Sequence, residues 1–259
     1  MTTTTTHDPV EALRALGFRA SAEALRALLA HATKSKLSPA EVCIELAALE
    51  KRERDARNLA ARTKYATIGP VKPLDRFDWT HPREIDRELY EELFETLGFI
   101  MRGENVILRG QAGVGKSTLA KHLGLAALAK GHSVRFTTLA GALADLLRHE
   151  SIPAIERRLR RYTQPDLLIL DELGYIPCDA AAADLLFRIV SKRHESRPVV
   201  ITTNLSYKQW STVFGEAPCL GALVDRFAQH CHVIDIDADS WRDKERLERN
   251  GRPPRKPKR

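Results

Sequence analysis

The sequence predicts an α/β fold in which a parallel sheet is covered by helices on both faces. Short apolar runs recur at residues 106–108, 133–138, 166–170, 199–203 and 232–237. Helical apolar patterns separate them, and buried strands that alternate with helices form parallel sheets between two helical layers. The chain has 259 residues, 43% of them hydrophobic, which suits one such domain and a small appendage.

The composition is typical of a globular protein of the reducing cytoplasm. No apolar run approaches the ~20 residues of a membrane span, and the threonine-rich start lacks the layout of a secretory signal. The four cysteines include no C-x-x-C pair, so we expect no zinc site and no disulfide framework. The net charge is +7, and residues 249–259 carry six basic side chains and no acidic one. We therefore expect a disordered basic tail at 243–259, which either contacts DNA or only solubilises the chain.

Residues 1–65 predict a small all-helical N-terminal domain. Two of its helices begin with D-P-V-E and S-P-A-E, in which a capping residue precedes a proline at the first helical position. The third helix becomes arginine-rich, with six basic against two acidic residues between 51 and 64. This stretch is either a solvated helix face or a DNA-facing helix, and Arg54 and Arg57 are then candidate DNA contacts.

Residues 66–82 read as a linker, because one glycine and three prolines interrupt any regular pattern. A helix with an apolar face is predicted from 83 to 97, at the start of a core domain that runs to 242. Two aromatic residues, Phe77 and Trp79, precede this core. They either pin the linker to the core or cover the base of a bound nucleotide. The next segment of the sequence predicts that a nucleotide binds.

The most informative stretch is G-Q-A-G-V-G-K-S at 110–117, which directly follows the first apolar run. It matches the phosphate-loop pattern G-x-x-x-x-G-K-[ST], in which glycines let backbone N–H groups point at a polyphosphate. Lys116 can reach the β- and γ-phosphates of ATP, and the Ser117 hydroxyl can hold Mg²⁺. An ordinary glycine-rich turn is the weaker alternative, since all four fixed positions are filled. The predicted nucleotide contacts are Gly110, Gln111, Ala112, Gly113, Val114, Gly115, Lys116, Ser117 and Thr118.

Polar residues end the two buried strands that follow. The strand at 166–170 leads into Asp171 and Glu172, which is a Walker B pattern. Asp171 is a predicted Mg²⁺ ligand with Ser117, and Glu172 is placed to polarise an attacking water, which argues for hydrolysis. Asn204 ends the next strand, where it either positions the water or the γ-phosphate or is only a turn residue.

Arg226 completes the set of candidate catalytic residues, which also includes Lys116, Asp171, Glu172 and Asn204. It lies in the segment G-A-L-V-D-R-F. One interpretation is a surface charge or a salt bridge with the neighbouring Asp225. The other is an arginine finger, which would stabilise charge on the γ-phosphate of a nucleotide bound to an adjacent subunit.

The segments GQAGVGKST, LLILDELGYIP, ITTN and LVDRF, in this order and spacing, resemble the AAA+ P-loop NTPases. Among these the chain resembles the IstB-like family, which are transposition helper ATPases of bacterial insertion sequences related to DnaC helicase loaders. The resemblance covers about residues 8–245. It implies ATP and Mg²⁺ as cofactors, duplex DNA and a transposase as partners, and a ring or spiral of subunits on DNA. The absence of a base-reading motif predicts binding that is largely independent of sequence.

The two helices between the second and third core strands resemble the helical insertion of initiators and helicase loaders, which faces nucleic acid. This resemblance implies DNA contacts on the second of these helices, at Arg157, Arg158, Arg160 and Arg161. No clear C-terminal lid domain follows Arg242 in the sequence. In AAA+ proteins such a lid carries a second arginine that senses the nucleotide, and we therefore assign no residue of this sequence to that role.

Three alternative functions share the phosphate loop. A DnaC-like helicase loader would use the same ATPase with a different protein partner. A small-molecule kinase is disfavoured by the two acids of the Walker B pattern and by the lack of an arginine-rich lid. A nucleotide-gated scaffold without turnover is disfavoured by Glu172.

Overall fold

The computed structural model describes residues 8–175, 178–215 and 217–249. Residues 247–249 are described by their backbone only. The chain forms two compact units, one through Arg62 and one from Thr63 onward. In the described ranges, no helix is long and apolar enough to cross a membrane.

The N-terminal unit is helical, as the sequence predicts. The Asp8 carboxylate accepts the Val10 N–H at 3.0 Å and caps the first helix. At the third helix, Ser38 Oγ accepts the Glu41 N–H, and the Glu41 carboxylate accepts the Ser38 N–H at 2.7 Å, so both predicted caps are present. The helices are α1 (Pro9–Ala15), α2 (Ala22–Lys34) and α3 (Pro39–Ala66).

The two arginines proposed from the sequence as DNA contacts on α3 surround a carboxylate. Glu50 accepts the backbone N–H groups of Arg19 and Ala20, and it pairs with Arg54 at 3.3 Å and with Arg57 at 3.6 Å. Arg57 also donates to the Arg19 carbonyl at 2.8 Å. Both guanidinium groups therefore hold the fold of their own unit, and contact with DNA stays a proposal for their remaining N–H groups.

A six-stranded sheet forms the centre of the second unit. Its strands are β1 (Glu84–Ile85), β2 (Asn105–Gly110), β3 (Val134–Thr138), β4 (Leu167–Leu173), β5 (Val199–Thr203) and β6 (Cys231–Asp237). They lie in the order β1-β6-β2-β5-β4-β3. All neighbours are parallel except β1, which runs antiparallel to β6. The five strands expected from the sequence are confirmed, and β5 lies between β2 and β4. The carboxyl ends of the phosphate-loop strand and the Walker B strand therefore flank that of β5.

Helices cover both faces of this sheet, because alternate strand residues enter different apolar clusters. Leu167 and Ile169 pack with the helices at 87–96 and 116–129, whereas Leu168 and Leu170 pack with those at 139–147, 152–163, 180–193 and 220–228. The helices of this unit are α4 (Arg87–Thr96), α5 (Gly98–Arg102), α6 (Lys116–Ala129), α7 (Leu139–Leu147), α8 (Ile152–Thr163), α9 (Ala180–Arg193), α10 (Ser211–Phe214), α11 (Leu220–Ala228) and α12 (Trp241–Arg249).

The structure corrects the expected helix at 83–97. Glu84 and Ile85 form an edge strand that pairs with Asp237 and Ile236 of β6. The helix begins only at α4, where the Asp86 carboxylate accepts the Leu89 N–H at 2.9 Å. The edge strand depends on β6, more than 140 positions later in the chain, so no local pattern announces it.

The structure also corrects the start of the expected tail, since residues 241–249 are helical. The Ser240 carbonyl accepts the N–H groups of Asp243 and Lys244 at 3.1 Å, and Arg246 pairs with Asp243 at 3.3 Å, one turn apart. Seven of the nine residues of this helix are charged, so no apolar periodicity marks it in the sequence. The expected tail at 250–259 lies outside the described residues.

Candidate nucleotide-binding site

The phosphate loop connects β2 to the start of α6 and depends on glycine at two positions. Gly113 and Gly115 have positive φ values of 83° and 97°, which disfavour any side chain. A Cβ on Gly115 would also lie 2.7 Å from Cε2 of Phe77. The linker aromatic therefore packs directly on the loop backbone, and the left-handed turn opens α6 at Lys116.

Lys116 turns back over this loop. Its Nζ donates to the carbonyl oxygens of Gly110 at 2.7 Å and of Gln111 at 2.6 Å, and the residue is only 6% exposed. Burial lowers the pKa of Lys116 to about 8, a shift that the nearby Asp171 carboxylate opposes and Arg242 reinforces. A buried ammonium whose hydrogen-bond partners are two neutral carbonyls is suited to receive an anion.

Ser117 and Asp171, the predicted metal ligands, are in contact. Ser117 Oγ donates to Asp171 Oδ1 at 2.8 Å, and Thr202 Oγ1 donates to the same carboxylate oxygen. Hydroxyl and carboxylate oxygens suit Mg²⁺, which proteins hold with one or two carboxylates together with substrate phosphates. The donor set present here therefore fits a magnesium ion that shares its coordination with a triphosphate.

Glu172 follows at the carboxyl end of β4 in an unusual backbone conformation. Its φ is 64°, in the left-handed region that β-strand residues avoid. Its N–H donates to Thr202 Oγ1 at 2.9 Å, and its side chain is exposed and lines the cavity over the loop. The carboxylate is thus presented to solvent beside Asp171, as a general base for water requires.

The two remaining candidate catalytic residues, Asn204 and Arg226, lie in different surroundings. Asn204 directly follows β5, and its Oδ1 lies 3.1 Å from where a Cβ on Gly174 would be, so its amide is beside the Walker B segment. Arg226, on α11, contacts its own chain, where its guanidinium donates to Ser191 Oγ and lies 4.9 Å from the Phe187 ring centroid. In the described residues Arg226 does not line the loop cavity, and its guanidinium contacts Ser191 and Phe187 rather than the adjacent aspartate.

The four arginines of α8 that are expected to contact DNA differ in exposure: two are partly buried and two are exposed. Arg158 makes a two-pronged ion pair with Asp145, at 2.7 and 2.6 Å, and this pair lowers the pKa of Asp145 to about 2. Arg161 is half-buried, whereas Arg157 and Arg160 are exposed and form no ion pair among the described residues. Arg157 and Arg160, three positions apart, share a solvent-facing side of the helix.

A cavity of about 420 Å³ lies over the phosphate loop. The linker forms one wall through residues 70–73 and 76–78, and Phe77 lines the cavity. Trp79 instead packs on Tyr90, with ring centroids 5.5 Å apart. Trp79 therefore pins the linker to the core, as one interpretation predicts, whereas a contact between Phe77 and a nucleotide base stays a prediction for the residue that lines the cavity.

The start of α12 closes another side of the cavity. The sequence did not predict this contribution to the site. The Trp241 N–H donates to the Gly113 carbonyl at 3.0 Å, and Trp241 and Arg242 both line the cavity. Lys244 pairs with Asp78 of the linker at 3.4 Å, which joins helix and linker over the loop. Arg242 is thus an exposed cation at the mouth of the site. In the sequence, the S-W-R segment at 240–242 could have pointed to this role of Arg242.

The fold and this site define an ATP-binding protein of the AAA+ P-loop class. A solved structure of DnaI shares the fold with a TM-score of 0.52 and 21% identity, over 63% of this chain and 89% of that one. A replication initiator DnaA bound to AMPPCP and single-stranded DNA matches with a TM-score of 0.51 and 20% identity. That match covers 70% of this chain and 59% of the DnaA chain.

Within this class, the chain belongs to the IstB-like ATP binding protein family, whose family model matches residues 11–249. It is 36% identical to an ATP-binding protein of the insertion sequence IS21 from Pseudomonas aeruginosa, over 86% of this chain and 83% of the relative. It is 31% identical to the corresponding protein of IS5376 from Geobacillus stearothermophilus, over 87% and 89%. The predicted family and fold class are thereby confirmed.

Proposed function

We propose that the protein is a Mg²⁺-dependent ATPase that oligomerises on DNA and assists the transposase of an insertion sequence. The observation that carries the ATPase is the convergence of Lys116, Ser117, Asp171 and Glu172 at the carboxyl end of the sheet, beneath a cavity of about 420 Å³. This arrangement supplies phosphate binding, a metal site and a base in one place.

In the proposed cycle, the triphosphate takes the place of the loop carbonyls as the partner of Lys116. The loop N–H groups and the start of α6 add positive potential at the same point. Ser117 and Asp171 would hold Mg²⁺, which when bound neutralises charge developing on the phosphates. Arg242 faces the same cavity, close enough to Lys116 to lower the pKa of that lysine, and would add to this field.

Glu172 then polarises the attacking water, and Asn204 orients the water or the γ-phosphate. We assign Arg226 to a neighbouring subunit's nucleotide, because it is away from the cavity of its own chain. Its contacts with Ser191 and Phe187 hold the guanidinium near the surface of α9. Turnover would therefore require an assembled oligomer.

DNA binding is assigned to the exposed arginines of α8, Arg157 and Arg160, with a contribution from the basic part of α3. Contacts of this kind are made to phosphates, so we expect affinity that depends on salt and little on sequence. The role in transposition rests on the relatives, which are named as insertion-sequence proteins. These relatives favour transposition over the helicase-loader alternative.

Two substitutions test the ATPase. Lys116→Ala should abolish tight ATP binding, whereas Glu172→Gln should keep binding and lose turnover by roughly 10²-fold or more, the scale for a positioned base. Glu195→Gln is a matched control, because Glu195 is also exposed with a positive φ, of 56°, but does not line the cavity. Normal turnover in Glu172→Gln would remove that residue from the mechanism. Size measurements with ATP and duplex DNA, separately and together, test the assembly.

A further inference from the structure

The ladder between β4 and β5 is irregular at the point where the candidate site lies. Leu170 pairs with Ile201 and Leu173 pairs with Thr203, so two residues of β4 stand opposite one residue of β5. The two are Asp171 and Glu172, and the one is Thr202. An extra residue of this kind re-aims the side chains around it and leaves a backbone group without its ladder partner.

The Thr202 side chain satisfies both residues opposite it. Its hydroxyl donates to Asp171 Oδ1, which also accepts the hydroxyl of Ser117. Its oxygen accepts the N–H of Glu172 at 2.9 Å, and this is the backbone group displaced by the irregular ladder. Thr202 is 1% exposed, so water does not compete for these bonds.

We propose that Thr202 is a positioning residue for ATP hydrolysis, an inference that rests on the proposed function. Its hydroxyl fixes the carboxylate that would hold Mg²⁺ and also the left-handed backbone that presents Glu172 to the cavity. One side chain thereby sets the metal ligand and the base relative to each other. Thr202 lines the cavity over the loop, but its hydroxyl is engaged by Asp171 and Glu172, so it acts through these two residues.

The neighbouring Thr203 supplies a matched control. It is fully buried, its hydroxyl donates to the Leu173 carbonyl at 2.8 Å, and its oxygen accepts the Leu205 N–H at 3.0 Å. Valine at either position therefore removes one donated and one accepted hydrogen bond at nearly constant volume. Only Thr202 directs its bonds to the candidate metal ligand and base.

The experiment compares Thr202→Val, Thr202→Ser and Thr203→Val in the full chain. It measures kcat, KM, the melting temperature, and ATP affinity with and without Mg²⁺. We expect Thr202→Val to lower kcat by about 10–100-fold, the usual cost of losing a group that orients a metal ligand. It should also lose much of the gain in ATP affinity on adding Mg²⁺, with affinity in chelator unchanged. Thr202→Ser should restore both, and Thr203→Val should keep both.

Wild-type kcat and Mg²⁺ response in Thr202→Val would overturn the inference. So would equal losses in Thr202→Ser, which would assign the effect to packing, or in Thr203→Val, which would assign it to general damage of β5. Should the valine variant not fold, Thr202→Ala removes the same hydroxyl without adding a methyl group. If the wild-type protein shows no turnover, the proposed ATPase fails, and the Mg²⁺ response of binding still decides the role of Thr202.

Discussion

ATP binding should weaken as the pH rises through 8, because Lys116 then loses its charge. Burial lowers the pKa of this lysine to about 8 in the nucleotide-free protein. Bound phosphates favour the ammonium form and raise the pKa again, so the nucleotide selects the protonated lysine. Well below pH 8 Lys116 is fully charged and the affinity does not change with its titration, whereas above pH 8 the affinity falls as the pH rises.

The size of this effect follows from the fraction of protein with a charged Lys116. With a pKa of about 8, roughly 91% of the lysine is protonated at pH 7 and about 9% at pH 9. The apparent affinity should drop about tenfold between these two values, or about 1.4 kcal/mol. A lysine with its ordinary pKa of about 10.4 would change the affinity by only a few per cent over this range.

Titration of a fluorescent ATP analogue at pH 7, 8 and 9, at constant ionic strength, measures this drop. Lys116→Arg is the control, since a guanidinium stays protonated throughout and should flatten the pH profile even if the affinity itself is lower. Calorimetry at pH 9 in buffers of different ionisation enthalpy should show proton uptake on binding. Equal wild-type affinities at pH 7 and pH 9, or a falling profile in Lys116→Arg, would refute the reasoning.

Two further outcomes test the proposals on assembly and DNA. Arg226→Ala should bind ATP but hydrolyse it about 10³-fold more slowly, and mixing it with Lys116→Ala should restore part of the activity if the arginine acts between subunits. A mixture that stays inactive, although each variant still assembles on DNA, would place Arg226 within its own subunit. Replacing Arg157 and Arg160 by alanine should lower the salt dependence of duplex binding by about two units of slope, whereas the exposed Lys208→Ala should leave it unchanged. An unaltered slope in the double variant would remove α8 from the DNA contact.

Much of the site was predictable because short sequence segments contain the residue types that its chemistry requires. The loop at 110–117 requires glycines and a lysine at fixed spacing to surround a phosphate, whatever the rest of the chain does. The acids after β4 follow an apolar strand and therefore lie at its carboxyl end. The placement of Lys116 and Asp171 at one edge of the sheet then follows from the parallel topology alone.

Other features depended on partners distant in the chain. The strand at Glu84 exists only because β6 offers it an edge. Arg158, predicted as a DNA contact, is engaged by Asp145 across two helices. Sequence spacing within α8 cannot reveal such a pair, because helix packing decides which of four neighbouring arginines meets a carboxylate.

The sequence by itself determined the class of fold, the phosphate loop and the identity of the acids, since local spacing and hydrophobic periodicity encode them. Only the tertiary structure decided that Thr202 bridges Asp171 and Glu172 and that Arg242 reaches the cavity. The first depends on the register of two strands, which shifts by one residue within the site. The second depends on the Trp241 N–H docking onto the phosphate loop. Both contacts join residues that are distant in the chain, so no short segment of the sequence contains the two partners of either contact.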